Sequence, residues 1–394
     1  MLTMHCLKGI EMTATGSTKA ASETGDALLL TPGPLTTSRS VKEAMLHDWG
    51  SRDAAFVRIN REVMERLPEI VNAAATHVTV PMQGSGTFAV EAMLTSFVPP
   101  DGEVLILING AYGQRARKIM EIARRRTVVH ETPEDTPPDL AAVERILAST
   151  PSITHVFAVH CETTSGILNP VQEIGALAAK HGKGYLIDSM SAFGALPLDA
   201  NAVHADAIAA SSNKCIEGVP GLGFVICRKN VLAAAKGNAS TLVLDLHDQW
   251  AVFQKTGQYR FTPPIHVIVA FHQALTEFFA EGGQPGRGAR YTGNCRVLVE
   301  GMRALGFRTL LQDRLQAPII VTFHMPGDPR FDFQRFYDAL KERGYVIYPG
   351  KLTVAESFRI GCIGRLDRTQ MQGAVAAIRD VIAGFGMTTA AMAA

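Results

Sequence analysis

Gly184-Tyr-Leu-Ile-Asp188 and Asp206-Ala-Ile-Ala-Ala-Ser-Ser-Asn-Lys214 decide how this chain is read. Each is a short apolar run that ends in chemistry, an aspartate in the first and a lysine just beyond the second. Short runs that are apolar without alternation suit strands buried on both faces of a sheet. A glycine-rich turn, Glu217-Gly-Val-Pro-Gly-Leu-Gly223, follows the lysine, and a third strand pattern runs from Leu222 to Cys227. Taken singly, Lys214 reads as a solvated loop lysine and Asp188 as a strand-end cap. An aspartate at one strand end and a lysine after the next are together what a pyridoxal 5'-phosphate (PLP) site needs. The lysine amine forms a Schiff base with the aldehyde, and the carboxylate keeps the pyridinium nitrogen protonated so that the ring accepts electrons.

Working outward, strand and helix patterns alternate. His77–Met82, Glu103–Ile108, Thr127–His130 and Thr154–His160 read as strands. Thr87–Phe97, Tyr112–Arg124 (with a basic outer face) and Val171–His181 read as helices. Apolar runs separated by helices predict an α/β fold with a mainly parallel sheet covered on both sides. After about Ile265 the texture changes. Helical patterns run over Val267–Ala280, Ala289–Leu305, Phe331–Arg343 and Arg368–Ile382, with strand candidates at Ala317–Phe323 and Ser357–Ile360. This predicts a smaller C-terminal α+β domain, with Gly282-Gly-Gln-Pro-Gly286 as a break between its first two helices. The expected organisation is a disordered lead-in over 1–27, where Met4 and Met12 are alternative starts, then an N-terminal segment and large domain over 28–265. A small domain follows over 266–386 and a frayed tail over 387–394.

The 394 residues suffice for two cores. A formal net charge of +1 excludes a strong field directed at nucleic acid or an anionic membrane. No apolar run is long enough to span a bilayer, and residues 1–27 make a poor secretory signal. Cys6, Cys161, Cys215, Cys227, Cys295 and Cys362 form no close C-x-x-C pair, so neither a zinc knuckle nor a disulfide framework is indicated, and no metal is expected. A reducing cytoplasm fits. Cys215, beside Lys214, reads as a small buried thiol.

Gln83-Gly-Ser-Gly-Thr87 lies between the first strand and its helix. Its glycines let the backbone approach a phosphate, and Ser85, Gly86 and Thr87 offer hydroxyl and N–H groups at the helix N-terminus. The rival reading is a dinucleotide fingerprint, since Gly84-Ser-Gly-Thr-Phe-Ala89 fits G-x-G-x-x-A. Asp101 and Glu103 then fall near the spacing of a ribose carboxylate. Both, however, precede the second strand, whereas a dinucleotide site needs its acid at that strand's C-terminal end. A turn without ligand is the third reading.

These pieces resemble the class V, fold-type I PLP-dependent aminotransferases over roughly residues 28–386. The carrying segments are Leu29-Leu-Thr-Pro-Gly-Pro-Leu-Thr-Thr-Ser38, Gln83–Thr87, Asn109-Gly-Ala-Tyr-Gly113, His160-Cys-Glu-Thr-Thr-Ser-Gly166 and Ile187-Asp-Ser-Met-Ser191. Further along come Ser212-Asn-Lys-Cys215, Tyr259-Arg-Phe-Thr-Pro263, Val346-Ile-Tyr-Pro-Gly-Lys351 and Phe358-Arg-Ile-Gly361. The resemblance is strongest to the branch acting on 2-aminoethylphosphonate and pyruvate in phosphonate catabolism. It implies that Tyr112 stacks on the cofactor ring, that Thr163 (with Thr164 the weaker candidate) bonds the ring hydroxyl oxygen, and that Asn213 helps hold the phosphate. Tyr259 and Thr262 would reach the cofactor of the other subunit in a homodimer. Arg359 would anchor the substrate through its planar fork, with Arg52 a lesser candidate for the same pocket. Lys214, once freed by the donor amine, would be the general base of a transamination giving phosphonoacetaldehyde and L-alanine. The alternatives are an alanine/serine–glyoxylate aminotransferase of the same class, a class V lyase or desulfurase, which would need a cysteine on a mobile loop, and a non-enzymatic partner protein.

Overall fold

A computed structural model describes residues 19–352 and 355–387. The expected lead-in up to residue 18 and the tail from residue 388 lie outside the described residues. The central sheet has seven strands in the order His77–Gln83, Leu222–Arg228, Ala207–Ser211, Gly184–Asp188, Ile153–Val159, Glu103–Ile108 and Arg126–Glu131. Leu222–Arg228 runs antiparallel to both neighbours, and the other pairings are parallel. The exception follows from chain length. Only the short Lys214 turn joins Ala207–Ser211 to Leu222–Arg228, and a parallel return needs a crossover of a dozen residues or more.

Each face of the sheet carries its own core. Gly86–Phe97 and Ala111–Ile122 cover one face through Ala89, Met93, Ala116 and Met120, against Val104, Ile106 and Leu186. Ala54–Arg66, Val171–Lys180 and Ile265–Ala280 cover the other. Capping fixes where several helices begin. Asp53 accepts from Ala55 N, and Asp139 accepts from Ala141 N and Ala142 N. The smaller unit packs Gly283–Ala304, Phe333–Glu342 and Arg368–Gly384 on a three-stranded antiparallel sheet of Ile320–His324, Ser357–Gly361 and Tyr348–Pro349. Asp367 and Gln370 form a reciprocal capping box at the start of its last helix. Phe307, Phe323, Phe336 and Phe358 interlock at its centre, with Phe307 edge-on to Phe358 at 5.6 Å.

Packing moves the expected boundaries. Residues 19–27 are not a disordered lead-in. They form a turn whose Asp26 pairs with Lys42 at 2.6 Å and whose Glu23 pairs with Arg365 at 3.1 Å. Leu28–Leu29 pairs in parallel with Tyr345–Val346, and Leu28 and Leu30 enter the small-domain core. Ile265–Ala280, expected in the small domain, instead buries Ile268, Phe271 and Phe278 in the large one. The next helix starts at Gly283 rather than beyond Gly286. Pro285 is tolerated there because a first-turn N–H has no intrahelical acceptor to lose. Met387, expected to begin the frayed tail, packs in the small core.

Candidate active site

A cleft of about 470 Å³ opens where Gly184–Asp188 and Ala207–Ser211 end. It brings together Ser85, Gly86, Thr87, Tyr112, Asp188, Asn213 and Lys214. In open α/β sheets ligands bind beyond the carboxyl ends of the strands, and this cleft lies there. Ser85 is the N-cap residue of Gly86–Phe97, yet its side chain makes no cap hydrogen bond. Its hydroxyl and the helix's first N–H groups are therefore open to an anion. Asn213 Oδ1 accepts from Ser211 Oγ at 3.0 Å.

Lys214 Nζ donates to Pro32 O at 2.6 Å. Burial lowers its pKa to about 8, so a substantial neutral fraction exists near physiological pH. The residue beside that carbonyl is Gly33, at φ +109, where a Cβ would lie 2.7 Å from Lys214 Cδ and 2.8 Å from Asn213 O. Only glycine lets this segment close over the lysine. Asp188, 4 % exposed, accepts from Met190 N at 2.9 Å. Burial raises its pKa to about 6, against the Met190 N–H and the charges of Arg115 and Lys214. No ion pair to Asp188 forms among the described residues. Cys215 is buried, its Sγ lies 3.2 Å from Ser191 O, and burial pushes its thiol up to about 12.

Thr163 and Arg359 touch each other and do not line the cleft, but Thr163 lies close to Tyr112 and the charge of Arg359 is felt by Lys214, both of which do. Arg359 Nη1 donates to Thr163 O at 2.8 Å, and Nε donates to Pro349 O at 3.1 Å. At 2 % exposure Arg359 is a buried cation held by carbonyls, with no carboxylate partner among the described residues. Burial lowers its pKa. Thr163 Oγ1 is buried and has no partner at hydrogen-bonding distance, although it lies close enough to the Tyr112 phenol to influence it. An orphaned hydroxyl, an unused cap hydroxyl, an unpaired buried carboxylate and a lysine of depressed pKa suit PLP's ring hydroxyl, phosphate, ring nitrogen and aldehyde respectively.

The remaining candidates lie elsewhere. Tyr259, Thr262 and Arg52 line a separate cleft of about 330 Å³. Two residues that the sequence reading did not single out do reach the site. Arg115 stacks over the Tyr112 ring at 4.9 Å and donates from Nη1 to Thr87 Oγ1 at 3.0 Å. Its signal was its place one helical turn after Tyr112. Glu162, fully buried, accepts from Tyr112 N at 3.1 Å and from Thr164 Oγ1 at 2.8 Å. Burial raises its pKa to about 7. Gly110 makes room for it, since a Cβ there would meet Glu162 Cγ at 2.3 Å. Asp245, His247 and Asp248 gather ligand-type atoms within 4.8 Å, but Asp245 caps Leu246–Thr256 and Asp248 faces Arg260 at 3.8 Å. No helix among the described residues is long and apolar enough to cross a membrane.

A family described as "Aminotransferase class-V" matches residues 39–359. A 2-aminoethylphosphonate–pyruvate transaminase of Cupriavidus taiwanensis is 56 % identical over 362 residues, covering 92 % of this chain and 96 % of its own. A protein of the same name from Pseudomonas putida is 54 % identical over 355 residues, covering 90 % and 96 %. Among solved structures, pyridoxamine–pyruvate aminotransferase from Mesorhizobium loti superposes with a TM-score of 0.83 at 24 % identity, covering 93 % of this chain and 94 % of its own. Ureidoglycine–glyoxylate aminotransferase from Bacillus subtilis gives 0.84 at 23 %, covering 92 % and 94 %.

Proposed function

The chain belongs to the class V aminotransferases, and from that premise we propose that it moves the amino group of 2-aminoethylphosphonate to pyruvate, giving phosphonoacetaldehyde and L-alanine. The observation that carries this reading is identity of 54–56 % over nine-tenths of the chain to transaminases of that name. The buried, carboxylate-free Arg359 beside the cleft supports it.

Bound PLP supplies an aldehyde that takes an amine and a ring that draws electrons from the carbon beside it. Ser85, Gly86, Thr87 and Asn213 would hold its phosphate, Tyr112 would stack on its ring, and Thr163 Oγ1 would bond its ring oxygen. Asp188 would face the ring nitrogen and keep a proton there. Lys214 Nζ takes the proton from the amine-bearing carbon of the donor, and in the second half-reaction it returns one to the corresponding carbon of pyruvate. Its depressed pKa suits a group that must be neutral to act as a base. Arg359 offers its fork first to the phosphonate of the donor and then to the carboxylate of pyruvate, two anions that share paired oxygens.

The same reading makes the enzyme a homodimer, with Tyr259 and Thr262 serving the partner's site. Exposed Phe88, Val243 and Phe261 support it, because they lie around a cleft that Tyr259 also lines, and covering them suits a second copy. A cytoplasmic location is part of this reading, supported by the unpaired Cys161, Cys215, Cys227, Cys295 and Cys362.

Titrating PLP-loaded enzyme with 2-aminoethylphosphonate should bleach the cofactor's absorbance band, and pyruvate should restore it with release of alanine. Lys214→Ala should abolish turnover. A band that ignores the phosphonate and responds instead to alanine or serine with glyoxylate would replace this substrate pair by the sister activity.

A further inference from the structure

A buried charge network lies directly behind Lys214 and takes no part in the chemistry above. Glu217, 3 % exposed, sits at φ +66, a backbone region that residues with a side chain rarely adopt. Its N–H donates to Lys214 O at 2.8 Å and closes the turn on which the lysine stands. Its Oε1 accepts from Arg290 Nη2 at 2.7 Å and from the Tyr291 hydroxyl at 2.5 Å. Arg290 reaches further. Its Nη1 donates to the carbonyls of Gly364 and Leu366 at 2.6 and 3.0 Å, and its Nε donates to Glu281 at 2.6 Å. Arg287 pairs with Glu281 at 2.7 Å and donates to the carbonyl of Cys215, the residue next to the lysine. The Lys214 turn, the helix Gly283–Ala304 and the loop that follows the Arg359 strand therefore share one guanidinium. Glycine would fit the left-handed turn without strain, so what glutamate adds here is its carboxylate.

We propose that Glu217 is a positioning residue: through Arg290 it holds the Lys214 turn in register with the Arg359 strand, so that base and anion anchor meet one substrate at a fixed spacing. The proposal rests on the reading of Lys214 as base and Arg359 as anchor. Lys214 serves both half-reactions, so a displaced turn slows both, while the affinity of Arg359 for either anion is untouched. Loss of a merely structural contact gives a different pattern, with fewer folded or loaded molecules, each turning over at the normal rate.

The test compares wild type with Glu217→Gln, and with Tyr291→Phe as a milder variant should the first not fold. Three quantities are read: the PLP dissociation constant, kcat per loaded site and KM for donor and acceptor separately, and the borohydride-reduced PLP adduct at Lys214. The expected result for Glu217→Gln is a fall in kcat per loaded site of about 10–100-fold in both half-reactions, the scale of a displacement of about 1 Å. Both KM values should stay within about threefold of wild type, because ground-state binding is unchanged. Tyr291→Phe should show the same pattern, weaker. Unchanged kcat per loaded site in a folded variant, or a change confined to KM, overturns the proposal. A wild type that yields no adduct at Lys214 overturns the underlying functional reading instead, and the control identifies that failure separately.

Discussion

Arg359 and Arg287 are buried to the same degree, at 2 % and 1 % exposure, and are satisfied in opposite ways. Arg287 lies 2.7 Å from Glu281 and 3.5 Å from Glu217. Despite burial its pKa is raised, by neighbours led by Tyr291 and Glu217. Glu281, which burial alone would raise, is pulled down to about 2 by Arg290 and Arg287. Arg359 has two backbone carbonyls and no carboxylate among the described residues, and burial lowers its pKa. A buried charge without a counter-charge is costly. Arg287 is neutralised by the chain's own acids, whereas Arg359 is left without one, and there the proposed substrates bring the missing anion. Asp188 is the mirror case, a buried carboxylate with no ion pair among the described residues, for which the proposed cofactor would supply a cationic ring nitrogen.

That contrast can be broken by experiment. Arg287→Met strands Glu281 and Glu217 next to Arg290 alone, and should lower folding stability by about 3–5 kcal/mol in urea unfolding of loaded enzyme, with KM unchanged. Arg359→Met should do the reverse. Losing a charge-assisted fork costs about 10²-fold in kcat/KM for both substrates, while the unfolding midpoint stays level or rises because an uncompensated charge has gone. If the two variants exchange phenotypes, the distinction between structural and open cations is wrong. Arg359→Lys should fall between wild type and Arg359→Met, since an ammonium keeps the charge but lacks the planar fork.

A smaller effect tests the open cation directly. Methylphosphonate at tenfold its dissociation constant should stabilise wild type by about 1.4 kcal/mol in thermal unfolding, and should do nothing for Arg359→Met. The smallest effect concerns Asp188. Its folded pKa lies above the unfolded value, so in cofactor-free protein the ionised carboxylate costs stability as pH rises through about 6. A protonated ring nitrogen relieves that cost. The stabilisation given by PLP should therefore grow by about 1 kcal/mol between pH 5 and 7, and Asp188→Asn should flatten the trend.

The residues that a local pattern announces were legible in the sequence as neighbours in one cleft. Lys214, Asp188 and the Ser85–Thr87 turn each sit within a few residues of the strand or glycines that announce them, and the cleft collects them. Contacts made by topology were not legible. Glu162 reaches Tyr112 N across 50 residues, and Glu217 reaches Arg290 across 73. Neither pairing has a period or a spacing to read. Apolar periodicity showed that Ile265–Ala280 buries a face, but not which core receives it, and so the domain boundary was misplaced. The helices Ala54–Arg66, Leu140–Ser149 and Leu246–Thr256 had no counterpart among the expected elements. Their aspartate caps at Asp53, Asp139 and Asp245 were available signals.

The strand Leu28–Leu29 finds its neighbour in Tyr345–Val346. On the ribosome it therefore emerges almost a whole chain ahead of that neighbour. The large sheet can assemble during synthesis, while Leu28 and Leu30 stay uncovered until the last segments arrive. A nascent chain stalled before residue 345 lacks the strand with which these leucines pair.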